Sequence, residues 1–187
     1  MTPRRTRAAT RRLFFALCPD EAGRAALAAS AATAVAASDG RAVAVAQLHV
    51  TLAFLGSVAV TRIPELTALA RALAAGWPPG AAPIALTFTR LAFWHRPQVL
   101  CALARPTAAA SRLATVLRDA THAAGFRPDL KPFRAHVTVA RKVTHARSAA
   151  LASVRWRCAA LALMESRSAP GGSLYSVVES APLGKPR

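Results

Sequence analysis

Two short segments of this chain contain the residue types that acid–base chemistry requires. Residues 49–52 read His-Val-Thr-Leu and residues 136–139 read His-Val-Thr-Val, so the same motif occurs twice among only five histidines. Each segment is part of an apolar stretch that predicts a β-strand. Because side chains alternate between the faces of a strand, each histidine shares a face with the threonine two positions later. The apolar face can then pack on a core while the polar face lines a cleft.

Two imidazoles and two hydroxyls at one point suit the cleavage of a phosphodiester. A neutral imidazole can take a proton from water as it attacks phosphorus, and an imidazolium can protonate the departing ribose oxygen. Histidine suits both roles because its pKa lies near neutrality. Thr51 and Thr138 can donate hydrogen bonds to the non-bridging oxygens. The residues alone leave open which of His49 and His136 is the acid and which is the base.

Strand alternation also selects candidates around the histidines. Arg134 lies two positions before His136 and should share its face, which predicts a guanidinium that contacts phosphate. Gln47 holds the corresponding position before His49 and is the weaker candidate. Arg141 falls on the opposite face, so it reaches the site only if the strand ends or bulges first.

Other residues that could bind a metal ion are poorly placed for it. The cysteines are far apart, no Cys-x-x-Cys pair exists, and we expect buried free thiols at Cys18, Cys101 and Cys158. Eight acidic residues are scattered along the chain, which disfavours a two-metal site. The remaining histidines lack a threonine two positions later and are expected at the surface: His95, His122 and His145. We therefore expect no metal ion and no cofactor.

The charge of the chain favours a polyanionic partner. Lys and Arg number 25 against 8 acidic residues, a net charge of +17, and such a surface attracts nucleic acid. Residues 1–11 are expected to form a basic, disordered tail. The apolar run that follows is shorter than the roughly 7–15 residues of a signal-peptide core, and no run approaches the ~20 residues of a membrane helix. We expect a cytoplasmic protein with no membrane partner.

The order of predicted elements indicates an α+β protein with antiparallel sheets. Strands are predicted at 12–17, 47–55, 83–90, 91–94, 98–104, 133–141, 155–165 and 173–179, and helices at 20–37, 61–75, 106–124 and 146–152. A helix precedes each His-Val-Thr strand, which hints at an internal duplication. With no linker between the halves, residues 12–187 are expected to form one bilobal domain, and we expect a monomer.

The paired motifs resemble those of the two-histidine phosphoesterase superfamily, and more closely the LigT-type RNA 2′,3′-cyclic phosphodiesterases, also described as 2′-5′ RNA ligases. The likeness covers nearly the whole chain. RLFFALCP is similar to the family's first strand, LHVTLAFLG and KPFRAHVTVAR to its two motifs, and LALMES with GGSLYSVVES to its last strands. Ala135 departs from the proline that usually precedes the second histidine, and Val139 replaces the usual leucine.

This resemblance implies two antiparallel sheets that flank a central cleft, with the helices outside and a pseudo-twofold between the lobes. It implies hydrolysis of a 2′,3′-cyclic phosphate at an RNA end to a 2′-phosphate. By analogy His49 would be the proton donor, His136 the proton acceptor, and Thr51 and Thr138 the phosphate ligands. Reversible 2′-5′ ligation belongs to the same chemistry.

Three other functions stay open from the sequence. One is an enzyme of the same superfamily that acts on another cyclic phosphate or on a 2′-5′-linked nucleotide. A second is a non-catalytic RNA-binding module, although binding alone would not require both histidines. A histidine metal site is the third, and it lacks carboxylate or cysteine partners.

Overall fold

The computed structural model describes residues 9–184 except 79, 106 and 171. The helices are α1 (Glu21–Ala36), α2 (Ile63–Ala75) and α3 (Ala108–Ala123). The strands are β1 (Thr10–Leu17), β2 (Arg41–Ala42), β3 (Val50–Ala59), β4 (Ile84–Trp94), β5 (Val99–Ala104), β6 (His136–Arg141), β7 (Ala149–Cys158), β8 (Ala160–Ala169) and β9 (Gly172–Pro182). Short 3₁₀ turns precede β3 and α2, at Val45–Gln47 and Val60–Arg62.

The strands form two antiparallel sheets, as the sequence predicts. The first sheet has the strand order β3-β1-β8-β9 and the second has the order β2-β6-β5-β4-β7. Helix α1 packs on β6 and β7 of the second sheet, α2 packs on β8 and β9 of the first, and α3 contacts β3 and β4. The α+β class with two sheets around a cleft is therefore confirmed.

Apolar side chains from both sheets meet in one core. Phe15 of β1, Phe88 of β4 and Trp156 of β7 are fully buried in it, and burial of a side chain of this kind contributes roughly 1.5–3 kcal/mol. The indole N–H of Trp156 donates to the carbonyl of Gly23, 2.8 Å away. This bond satisfies the buried indole and fixes α1 against β7.

Side chains cap the N-termini of α1 and α3. Asp20 is the N-cap of α1, and its carboxylate accepts from the backbone N–H of Gly23 at 2.8 Å. Thr107 caps α3 in the same way through Ala110. Just after α3, Gly125 adopts a φ of 77°, which glycine reaches without strain.

The predicted helix at 146–152 is wrong. That segment leads into β7, in which Ala149 and Ala150 pair with Leu91 and Arg90 of β4. Its alanines have high helix propensity, but pairing with β4 buries Leu151 and outweighs it. The predicted strand at 155–165 is also divided, because β7 ends at Cys158 and β8 begins at Ala160.

The N-terminal boundary lies slightly earlier than the sequence indicates. Thr10 and Arg11, which the sequence assigns to the tail, pair with Ala59 and Val58 of β3, while residues 1–8 lie outside the described part. All three cysteines are free thiols, and only Cys18 is partly exposed. Across the described residues, no helix combines the length and the apolarity that crossing a bilayer requires.

Candidate active site

The two His-x-Thr segments face each other across the cleft. His49 immediately precedes β3, and His136 is the first residue of β6, in the other sheet. Strands β3 and β6 contact each other. A cavity of about 300 Å³ lies between them and is lined by both histidines together with Thr51 and Thr138. The structure thus brings together four residues that are far apart in the sequence.

The two imidazoles are held in the same way. Nδ1 of His49 lies 2.8 Å from the carbonyl oxygen of Gln47, and Nδ1 of His136 lies 2.7 Å from that of Arg134. A carbonyl oxygen only accepts, so the proton is on Nδ1 in both neutral rings. Nε2 is left as the nitrogen that can exchange a proton with a bound molecule.

Aromatic rings pack against both imidazoles and hold their orientation. His49 contacts Phe14 and Tyr175, with ring centroids 4.9 and 4.8 Å away. His136 contacts Trp94, with the centroids 4.6 Å apart. Rings held by packing and by a backbone hydrogen bond lose little further entropy when a reaction requires one fixed geometry.

Both histidines are neutral at neutral pH in the free protein. Burial lowers the pKa of His49 to about 4, helped by the positive charges of Arg141, His136 and Arg24 and opposed by the bond to Gln47. Burial also lowers the pKa of His136; the hydrogen bond to the Arg134 carbonyl opposes this, and the positive charge of Arg134 adds a smaller lowering. An anion bound in the cavity would raise the pKa of both histidines, because it offers the imidazolium a negative partner.

The cavity is positively charged. Arg12 and Arg141 line it, and among its described lining residues there is no carboxylate. Nη2 of Arg141 donates to the phenol oxygen of Tyr175 at 2.8 Å. The Arg12 guanidinium lies 5.4 Å from the centroid of the Phe54 ring. Two guanidinium groups beside two imidazoles form an environment that favours a phosphate.

Arg141 reaches the cavity because β6 bulges. In the pairing of β6 with β5, Leu100 faces Ala140 and Cys101 faces Thr138, so Val139 has no partner. Val139 and Ala140 are both buried, and the extra residue returns the next side chain to the face of His136. The sequence identified this condition, but nothing in the local pattern shows that it is met.

Arg134 lies outside this cavity, although strict alternation placed it there. It precedes the first residue of β6, so alternation along that strand does not govern its side chain. Its guanidinium lies 5.5 Å from the centroid of the Trp94 ring and lines an adjoining cavity, which also contains His136. Of the two arginines that flank the second motif, only Arg141 shares the cavity with both histidines.

Gln47 and Tyr175 are linked to each other at the cavity wall. The Gln47 side chain donates to the carbonyl of Tyr175 at 3.3 Å and accepts from its backbone N–H at 2.5 Å. Gln47 was a weak candidate, and its side chain holds a backbone rather than pointing freely into the cleft. Tyr175 was missed as a site residue, since a single tyrosine in a terminal strand carries no motif.

Side chains that commonly bind metal ions do not cluster among residues 9–78, 80–105, 107–170 and 172–184. Within these ranges no three His, Cys, Asp or Glu side chains come together. The histidines lie instead beside hydroxyl, guanidinium and aromatic groups.

Comparison with protein-family models shows which family the chain belongs to. The family model described as the 2′-5′ RNA ligase superfamily matches residues 19–170, which include both His-x-Thr segments. The chain belongs to the 2′-5′ RNA ligase superfamily. This superfamily of two-histidine phosphoesterases is the one that the sequence motifs resemble.

Several solved structures share the fold over nearly the whole chain. LigT of Escherichia coli in complex with 3′-AMP superposes with a TM-score of 0.80 at 26% identity, covering 94% of this chain and 99% of LigT. A protein of Thermus thermophilus gives 0.77 at 30% identity, covering 92% and 97%. A structure described as a phosphoesterase gives 0.82 at 26% identity, covering 95% and 100%. No curated protein matches the chain significantly.

Proposed function

We propose that this protein opens 2′,3′-cyclic phosphates at RNA ends and leaves a 2′-phosphate. The observation that carries the proposal is that both histidines line one positively charged cavity, each with Nδ1 bonded to a backbone carbonyl and Nε2 free. Superfamily membership supports a phosphodiesterase. E. coli LigT has been crystallised with 3′-AMP and with phosphate, which supports a nucleotide phosphate as the ligand here.

The reaction divides between the two imidazoles. Nε2 of neutral His136 takes a proton from water as the water oxygen attacks phosphorus. The bond from phosphorus to the ribose 3′ oxygen breaks, and Nε2–H of the His49 imidazolium protonates that oxygen. The product is a 2′-phosphomonoester, and the two histidines return to their starting forms by exchange with solvent. The assignment of His49 as donor and His136 as acceptor follows the family.

The other polar groups of the cavity stabilise the developing charge. The hydroxyls of Thr51 and Thr138 donate to the non-bridging oxygens, and Arg141 supplies a full positive charge beside them. Arg134 stays a predicted phosphate ligand, and its placement in the adjoining cavity favours a phosphate farther along the substrate. Protons move only between imidazoles, water and ribose, so this scheme requires no metal ion.

The decisive experiment measures hydrolysis of a 2′,3′-cyclic mononucleotide in the presence of EDTA, with the product isomer identified. We expect the 2′-phosphate, and we expect His49→Ala and His136→Ala each to reduce the rate at least ~10²-fold. His122→Ala changes an exposed histidine on α3 and should keep the wild-type rate. Activity lost with the chelator, or kept by both cavity variants, would refute the mechanism.

A second candidate is an enzyme of the same superfamily that acts on another cyclic phosphate or on a 2′-5′ linkage. E. coli LigT has been crystallised with ATP and with NADP⁺, so the fold can accept nucleotides other than an RNA end. Comparing RNA ends, cyclic nucleotides and 2′-5′-linked dinucleotides under one assay ranks these substrates, and incubation with two RNA ends tests the reverse ligation. Cytoplasmic location and a monomeric state stay predictions.

A further inference from the structure

A second, larger groove opens beside the catalytic cavity. It has a volume of about 570 Å³ and shares Thr51, Phe54 and His136 with that cavity. The aromatic and charged residues that line this groove but not the catalytic cavity are Trp94, Arg96, Asp129, Lys131, Phe133 and Arg134. We call it the Trp94 groove. A molecule that occupies both spaces would pass directly by His136.

Trp94 gives this groove an aromatic surface. Its side chain is only partly buried, at the end of β4, where the turn of residues 95–98 follows. It contacts the imidazole of His136, and the Arg134 guanidinium lies over its ring, 5.5 Å from the centroid. An indole fixed in place with an arginine beside it is a stacking surface for a nucleobase.

The charge of the groove is complementary to a nucleic acid backbone. Arg96, Lys131 and Arg134 are exposed along it. Among the described residues that line it, Asp129 is the only carboxylate, and that group pairs with Lys131 at 3.4 Å. The groove therefore has an excess of two positive charges at its mouth. Cations beside a partly exposed aromatic ring favour single-stranded nucleic acid, because every base has a stacking face.

We propose that the Trp94 groove binds the nucleotide that precedes the cyclic-phosphate nucleotide. The base of that nucleotide lies on Trp94, and the phosphate that links the two nucleotides lies near Arg96 and Lys131. A 2′,3′-cyclic phosphate terminates the chain at its 3′ side, so any attached nucleotide lies on the 5′ side. The substrate is then an oligonucleotide end in preference to a mononucleotide. This inference rests on the proposed function and specifies the substrate of the same site.

The test compares kcat/KM for a 2′,3′-cyclic mononucleotide with that for a dinucleotide ending in the same group. We expect the wild-type protein to prefer the dinucleotide by roughly tenfold, within the range that one stacked base contributes. Trp94→Ala should remove most of this preference and Trp94→Phe, which keeps an aromatic face, should restore it. A thermal unfolding curve for each variant identifies any loss that comes from misfolding.

Variants of the exposed cations provide a test that does not depend on the packing of Trp94. Lys131→Ala and Arg96→Ala should each lower the preference for the dinucleotide. Each should also weaken the salt dependence of kcat/KM for the dinucleotide, because one cation that contacts its phosphate is lost. Arg112→Ala, an exposed arginine on α3 outside both cavities, is the matched control and should change neither quantity.

The outcomes separate this inference from the proposed function. If wild-type protein cleaves neither substrate, the proposed function fails. If kcat/KM is the same for the mononucleotide and the dinucleotide, only the Trp94 groove proposal is overturned. The same holds if the preference for the dinucleotide survives in Trp94→Ala and in both cation variants. A preference that disappears in Trp94→Ala and returns in Trp94→Phe supports it.

Discussion

At the residue scale, catalysis depends on the protonation states of the two imidazoles. Burial and nearby arginines lower the pKa of both His49 and His136, so the free protein at pH 7 contains two bases and no acid. Catalysis requires one imidazolium. The proton must be taken up from solvent, either when the bound substrate anion raises the pKa of an imidazole or when the pH is lower.

The pH dependence of kcat/KM follows from this. We expect kcat/KM to be highest at a pH below 6.5, the ordinary pKa of histidine. Above the higher apparent pKa of the two histidines, kcat/KM should fall about tenfold per pH unit, because the leaving oxygen then lacks its proton donor. The measurement is initial rates with a cyclic mononucleotide far below KM from pH 4.5 to 8.5. Samples returned to neutral pH before the assay reveal any unfolding. An optimum at or above pH 7 would contradict the assigned protonation states.

The two arginines that flank the second motif provide a direct comparison of sequence and structure. Arg141 shares the cavity with both histidines, whereas Arg134 faces the Trp94 groove. Arg141→Gln should reduce kcat/KM for a cyclic mononucleotide by about 10²-fold, as expected when a donor to developing charge is lost. Arg134→Gln should cost clearly less on that substrate. The opposite ranking would favour the strand alternation read from the sequence over the bulge seen in β6.

At the scale of elements, the sequence predicted most of what depends on local pattern. The two His-Val-Thr strands and the three helices of the described residues lie where the sequence predicts them, and the pairing of the motifs follows from their repetition. Two features that the sequence did not determine have a common cause. The bulge at Val139 and the strand at Ala149–Cys158 depend on the partner strands β5 and β4. Register set by a distant strand leaves little trace in the segment itself.

The link between Gln47 and β9 supports the position of His49. The Gln47 side chain satisfies both backbone groups of Tyr175, and its own carbonyl accepts from Nδ1 of His49. Gln47→Ala should lower the free energy of unfolding by about 2 kcal/mol, because it removes two hydrogen bonds that are typically worth about 1 kcal/mol each. It should also lower kcat several-fold, with a smaller change in KM, because the phosphate ligands remain.

Denaturant unfolding and steady-state kinetics measure both effects. Gln47→Glu is the matched variant, since it keeps the oxygen that accepts from the Tyr175 N–H and should retain more of the stability than alanine does. Equal stability for the wild-type, Ala and Glu proteins would show that this link does not hold β9.

At the scale of the whole molecule, the burial of these neutral histidines should make the folded state less stable in acid. The chain carries a net charge of +17, so each proton taken up adds to its self-repulsion. The unfolded chain protonates a histidine near pH 6.5, whereas folded His49 resists protonation down to about 4. Because the unfolded state then binds more protons, stability must fall as the pH falls through this window.

We therefore expect the free energy of unfolding to be constant above about pH 6.5 and to decrease between there and pH 4.5. His49 accounts for at most about 3 kcal/mol of this decrease, and less because solvent screens a ring that is partly exposed. His49→Asn keeps an N–H for the Gln47 carbonyl but does not titrate, so its stability curve should be flatter. His122→Asn, exposed on α3, should follow the wild-type curve. Urea unfolding at half-unit pH steps measures all three, and parallel curves for wild-type and His49→Asn would show that burial of His49 does not cause the acid sensitivity.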